Sequence, residues 1–391
     1  VKPDPGLEAW LLEHEESLVQ LRRTLHRHPE LSRLEHRTTA LLHDRLTAAG
    51  LSPRVFAVGT GLACDVGTGD GPFVVLRADL DALPLQDDKQ VPYRSEVPGV
   101  CHACGHDVHT AVVFGAGLAL AELGVAGRVR LLFQPAEEQM PGGALDVLSE
   151  GWLDGAAVVF GLHCDPSLDV GRVGLKPGPL TAAADAVEVL LSGPGGHTSR
   201  PHNTVDLVHV LAEVATGLPA ALSRLVDPRA GLTLVWGHVS AGLAHNAIPR
   251  EGALRGTLRV LDMAAWQQAP ELVERVVQGL VAPYGAQASV SYVRGVPPVV
   301  NDPAATTLLT AAVAAALGPT AAVPALQSMG GEDFAWYLQH VPGSMGRLGV
   351  RPRGSEQTVD LHQSTFDVDE AAIGLGVRVL VAAARAALEP V

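Results

Sequence analysis

The stretch VCHACGHDVH, Val100 to His109, gathers two cysteines, three histidines and an aspartate into ten residues. Three chemistries use such a set. A redox dithiol needs only the Cys101-His-Ala-Cys104 turn at a helix start and has no use for further histidines and carboxylates. A structural zinc knuckle wants a second Cys or His pair at similar spacing, and the remaining cysteines, Cys64 and Cys164, stand alone. A catalytic metal site accounts for more residues. Cys104 and His106 are good ligands for zinc-like divalent ions, and in an extended or turn backbone residues two apart project to one side. His109 can face inward in the helix that follows, and Asp107 can bind metal or orient a ligand histidine.

A hydrolytic metal centre also needs a carboxylate that binds no metal, to take a proton from water and later return it. Glu137-Glu138 supplies it: neighbours in an extended segment point to opposite sides, so one can bind metal while the other faces the water. His163 and His362, in Asp360-Leu-His-Gln, are further candidate ligands. Together Cys104, His106, Glu138, His163 and His362 offer one thiolate, one carboxylate and three imidazoles. That is more than one tetrahedral catalytic zinc takes while keeping an open position, so two divalent ions are the simpler reading. Affinity order alone does not choose among manganese, zinc, cobalt and nickel in such a mixed site.

Short apolar runs place these residues. Phe73 to Ala78 leads into Asp79 and Asp81, Val129 to Phe133 into Glu137-Glu138, and Ala156 to Leu162 into His163. Each reads as a buried strand delivering polar residues at its carboxyl end, where open α/β sheets build their sites. Helical periodicity over Glu8 to Arg27, His36 to Ala49 and Thr110 to Leu123 completes an alternation that implies a mixed α/β sheet with helices on both faces.

From about Leu180 to Val293 the rhythm changes. Strands at Ala184 to Ser192, Leu232 to Val239, Gly252 to Leu261 and Ala286 to Val293, with helices at Thr204 to Leu222 and Ala264 to Pro283, give the order β-α-β-β-α-β of a ferredoxin-like α+β domain. The expected organisation is a discontinuous catalytic domain, residues 1–179 and 294–391, with an inserted domain at 180–293. A chain of 391 residues suits two cores.

Composition narrows the partners. The formal net charge is -14 and no basic block occurs, which argues against nucleic acid and anionic membranes and for a small-molecule substrate. The uncharged stretch Thr306 to Leu326 is broken by Gly318-Pro319 and Pro324 and reads as a helix followed by a loop rather than a membrane span. The opening VKPDPGLEAWLLEHEE does not read as a secretory signal. Four cysteines without a disulfide spacing point to a reducing cytoplasm.

The segments RADLDALPL (77–85), GVCHACGHDVHTA (99–111), FQPAEE (133–138), GLHCDP (161–166), GPGGHTSRPH (193–202), HNAIP (245–249), GTLR (256–259), SMGGEDFAWYL (328–338) and LHQSTFDVDE (361–370) resemble, in order, the amidohydrolases that include hippurate hydrolases, N-acyl-amino-acid aminoacylases and auxin-conjugate hydrolases. These are glutamate-carboxypeptidase-like dinuclear metallopeptidases. The resemblance implies Cys104, His106, Glu138, His163 and His362 as metal ligands, Glu137 as the base, and Asp81 as the residue that orients a ligand histidine, with Asp79 a lesser contributor. It further implies that the inserted domain is a lid and homodimer surface, that His197 stabilises the oxyanion, and that Asn246 and Arg259 hold the substrate carboxylate, with His202 an accessory. The chain departs from the family pattern at Cys101, where relatives carry Met, and at Gln363-Ser364, where Asn-Pro is common. The implied reaction is hydrolysis of N-acyl amino acids; the rival on the same scaffold is a dipeptidase or carboxypeptidase.

Overall fold

The computed structural model describes residues 4–355 and 359–389. Its internal packing divides the chain into two units: the residues up to Gly178 with Val300–Leu326 and those from Asp333 on, and a second unit of Pro179–Val299 with Gln327–Glu332.

The first unit is built on an eight-stranded mixed sheet. Its spatial order is Arg54–Val55, Leu62–Gly67, Arg128–Gln134, Phe73–Asp79, Ala156–Asp169, Gly343–Arg351, Val173–Leu175 and Ala322–Pro324. The central strands Arg128–Gln134, Phe73–Asp79, Ala156–Asp169 and Gly343–Arg351 run parallel to their neighbours in that group, and the outer pairings include antiparallel ones. Every residue of Phe73–Asp79 is buried, as expected of a strand covered on both faces. Phe160 and Leu162 join the core that the helices cover, whereas Phe334 lies over Gly161 on the opposite face.

The helix His106–Leu123 is apolar nearly all round, buried from His106 through Gly117, and packs against Pro5–Arg27 and Ala371–Leu388. Each fully buried Leu or Val there contributes roughly 1.5–3 kcal/mol relative to exposure. Ala371–Leu388 is itself long and apolar enough to cross a membrane, yet it lies in this core against Pro303–Leu317 and His106–Leu123. The stretch from Thr306 folds, as expected, into the helix Pro303–Leu317, then a loop and the short strand Ala322–Pro324.

The second unit carries a four-stranded antiparallel sheet in the order Thr233–Ala241, Glu251–Val260, Ala183–Ser192, Gln287–Val296. Numbered along the chain, this is the 2-3-1-4 order of the ferredoxin-like arrangement. Helices Leu207–Leu225 and Met263–Val281 pack on it. The first helix starts three residues later than its periodicity suggests because Asp206 caps it, accepting from the His209 amide. The last strand continues past residue 293 to Val296 across a register shift, so the packing of this unit extends beyond the expected limit.

Candidate metal centre

Five chain segments of the first unit meet at the carboxyl ends of the central strands. Gly105 begins the helix His106–Leu123 with φ at 87°, and a Cβ at this position would stand 2.7 Å from the Cys164 sulfur. Only glycine makes both the turn and the approach. The helix therefore starts four residues earlier than its apolar run suggests, and His106 lies in its first turn.

The His106 Nδ1 donates to the Asp81 carbonyl at 2.8 Å, which fixes the ring tautomer. Its Nε2 is buried, makes no hydrogen bond among the described residues, and faces Asp79 Oδ2 at 3.7 Å and Glu137 Oε2 and Glu138 Oε1 at 3.9 Å. The Cys104 sulfur stands 3.5 Å from His163 Nε2, and His163 Nδ1 is engaged with the Cys164 carbonyl at 2.8 Å. His362 is held in a left-handed turn, its amide donating to the Ala103 carbonyl, and its Nε2 lies 3.4 Å from Glu138 Oε1. Ligand-capable atoms within 4.8 Å of one another form the sets Cys104, His106, His163; Cys104, Glu138, His362; and His106, Glu137, Glu138. The first two share Cys104. The five candidate ligands and the candidate base are thus brought together.

Two details differ from the sequence reading. His163 does not follow a strand: the strand runs over Ala156–Asp169, because pairing with Gly343–Arg351 continues through Arg347 opposite His163 and on to Asp165. Asp107 turns away from the cluster, accepting from Arg22 Nε and meeting His26 Nδ1, each at 2.7 Å. Asp81 meets His106 Nδ1 with its backbone carbonyl and with its Oδ1 at 3.4 Å, and its carboxylate also accepts the Glu137 amide at 3.0 Å and the Glu138 amide at 2.9 Å. His109 is saturated: Nδ1 meets Asp79 Oδ1 at 2.6 Å and Nε2 accepts the Cys164 amide. Asp79 is locked further by Arg77 Nη1 at 2.6 Å, and Arg77 Nη2 reaches Asp333 at 2.8 Å.

The carboxylates dominate the electrostatics of the cluster. Burial would lower the His106 imidazole, but the surrounding carboxylates of Asp79, Asp81 and Glu138 outweigh it and push the group up to about 10. Burial, then Glu138 and Glu137, hold the Cys104 thiol well above its ordinary range. Burial and then Arg347 keep His163 neutral. The Glu138 carboxylate, its Oε1 3.4 Å from His362 Nε2, raises His362 against the effect of burial. The carboxylates favour the cationic form of a ligand-capable histidine. Divalent ions would take over that charge and leave a neutral imidazole and a thiolate as donors. The mixed S, N and O donors, with His106 Nε2 and Glu138 Oε1 lacking hydrogen bonds among the described residues, fit two divalent ions.

The second unit holds the other implied residues. His197 lies in the two-residue strand Gly196–His197, paired with Ala247–Ile248, and Asn246 immediately precedes the partner strand, its carbonyl accepting from the Thr198 amide. His197 Nδ1 accepts from the Ser199 amide at 3.1 Å and meets Ser199 Oγ at 2.8 Å. Arg259 belongs to the four-stranded sheet, where its guanidinium donates to the Met329 carbonyl. His202 lies in the exposed turn Pro201–Asn203.

Residues 75–386 match the Peptidase family M20/M25/M40. The chain belongs to this family. It is 39% identical to an N-acetyl-L-cysteine deacetylase of Bacillus subtilis, over 92% of this chain and 85% of that protein. A putative glutamate–cysteine ligase of Rhodococcus jostii is 49% identical over 95% of this chain, but the match spans only 47% of that protein, about half its length. A crystal structure described as a dinuclear metal-binding peptidase of the M20 family, from Bacillus subtilis, superposes with a TM-score of 0.85 at 34% identity and covers 97% of this chain and 99% of that one. As an M20/M25/M40 member with this cluster, the chain is a metal-dependent hydrolase of amide or acyl substrates.

Proposed function

We propose that the chain hydrolyses the amide bond of N-acyl amino acids, releasing a carboxylate and a free amino acid, in the manner of hippurate and auxin-conjugate hydrolases. The observation that carries the reading is the adjacent pair Glu137-Glu138 facing the unpartnered His106 Nε2 beside Cys104. Divalent ions bound by Cys104, His106, Glu138, His163 and His362 would supply Lewis acidity toward the amide carbonyl and acidify water. Glu137, spared as a ligand, takes the proton of the attacking water and delivers it to the departing nitrogen. His197 donates to the developing oxyanion, a contribution on the order of 3 kcal/mol to the barrier difference. Asn246 and Arg259 hold the substrate's α-carboxylate, Arg259 by a two-point contact that lysine does not reproduce.

Similarity to an N-acetyl-L-cysteine deacetylase supports an N-acyl amino acid; similarity to a structure described as a peptidase supports the rival, a dipeptidase or carboxypeptidase. Substrate choice separates them: N-acetyl and N-benzoyl amino acids, N-acetylcysteine included, should turn over at least tenfold faster than dipeptides with a free amine. The reverse preference would establish the rival. Glu137→Ala should lower turnover by about 10²- to 10⁴-fold with metal content retained; near-normal activity would refute the base assignment.

The second unit acts in this proposal as a lid and as a homodimer surface. The face of its sheet that carries Leu190, Val235 and Val293 exposes these large apolar side chains. Sedimentation of a monomer at micromolar concentration would contradict the dimer. The four free thiols accord with a cytoplasmic site of action; a disulfide in protein isolated without reductant would oppose it.

A further inference from the structure

We propose that Glu35 is a positioning residue for the Glu137-Glu138 turn, acting through the backbone of Ala136; this rests on the assignment of Glu137 as base and Glu138 as ligand. Glu35 precedes the helix His36–Ala48 and is fully buried. Its Oε1 accepts the Ala136 amide at 2.7 Å, and its Oε2 has no hydrogen-bond partner among the described residues.

Ala136 is where the turn needs holding. Its φ is 55°, the left-handed region that an L-residue enters at a cost and keeps only when the surroundings enforce it. The next two amides, Glu137 and Glu138, are bound by the two oxygens of Asp81. Three consecutive amides are therefore held by two buried carboxylates. One loop supports both: Ser32 donates to Asp81 Oδ2 at 2.6 Å, and Glu35 follows three residues later. The Ala136 carbonyl is fixed as well, accepting from the Gly143 amide at 2.9 Å. Asp81 sets the directions of Glu137 and Glu138, and Glu35 sets the bend from which they start.

The hold does not depend on charge. Burial, with Asp81 adding to it, pushes the Glu35 carboxyl up to about 7, and either protonation state presents an oxygen to the Ala136 amide. Glutamine can do the same. Methionine fills a similar length with no acceptor.

The test compares Glu35→Met, Glu35→Gln and Glu137→Ala in the metal-loaded enzyme, measuring kcat, KM, metal content and the thermal transition. Glu35→Met should lower kcat at least 30-fold with KM within threefold, and Glu35→Gln should keep kcat within about fivefold of the parent. Glu35→Met within threefold of the parent, or Glu35→Gln as impaired as Glu35→Met, overturns the proposal. If Glu35→Met shows no cooperative transition, Glu35→Asp replaces it: the shorter carboxylate falls short of the Ala136 amide, and kcat equal to that of Glu35→Gln overturns the proposal. Glu137→Ala separates the two levels. Its retention of turnover defeats the base assignment itself, whereas an inactive Glu137→Ala beside a fully active Glu35→Met defeats only the positioning role.

Discussion

Two buried clusters in the first unit use the same residue types to different ends. Cys104, His106 and His163 form one; His26, Asp87 and Cys101 form the other, with ligand-capable atoms as close together as in the first. The difference lies in what neutralises them. Asp87 is paired with the buried Lys89 ammonium at 3.1 Å, the same ammonium lies 3.6 Å from the Cys101 sulfur, and Asp107 next door has the Arg22 guanidinium. The Cys101 cluster carries its cations in the sequence. In the Cys104 cluster Asp79 has the Arg77 guanidinium, but Asp81 and Glu138 meet no Lys or Arg among the described residues, and the carboxylates raise a histidine instead. Residue type therefore does not mark a metal site; a surplus of donors over built-in positive charge does.

Removing the cation of the Cys101 cluster should have the largest effect. Lys89→Met strands Asp87 and should cost on the order of 3–5 kcal/mol in metal-free buffer. Added zinc should recover part of the loss, since His26, Asp87 and Cys101 then resemble the other cluster. Denaturant unfolding with and without zinc reads both, and an unchanged stability would show that Lys89 is not the counter-charge.

Glu35 gives the next largest effect, with a definite sign. Its ordinary value is 4.5 and its folded value about 7, so folding takes up a proton between those limits. The contribution is fully present below pH 4.5 and is lost as pH rises through 7, opposite in sense to Asp79 and Asp107, which are held low. The stability of the parent relative to Glu35→Gln should be about 3 kcal/mol greater at pH 4.5 than at pH 8 in metal-free protein. Equal differences at the two pH values would contradict the burial argument. Smallest is Glu138→Gln, which removes one charge from the metal-free cluster and should raise its stability by on the order of 1 kcal/mol. A lower thermal midpoint in chelator would show that Glu138 is satisfied without metal.

The sequence makes the mixed α/β sheet and the ferredoxin-like second unit legible because apolar period and turn residues are local signals. The metal-capable residues are legible because most of them lie near strand ends or a helix start in dense polar groups. Glu35 is not legible: it meets Ala136 across 101 positions, and nothing in its neighbourhood separates it from an ordinary helix-start glutamate. Lys89 is hidden for the same reason: nothing along the chain announces its contact with the Cys101 sulfur. Asp107 misleads because its partners Arg22 and His26 come from the helix Pro5–Arg27, whose polar residues look solvated along the chain. The inclusion of Gln327–Glu332 in the second unit likewise follows from pairing such as Ala182 with Ser328, which no local pattern announces.

We propose that the Cys104 cluster, and not the Cys101 cluster, holds the metal, and elemental analysis of zinc- or manganese-loaded parent, Cys104→Ala and Cys101→Ala reads this out. Two ions per chain are expected in the parent, two in Cys101→Ala, and at least one fewer in Cys104→Ala. Full metal content in Cys104→Ala together with a loss in Cys101→Ala would contradict it.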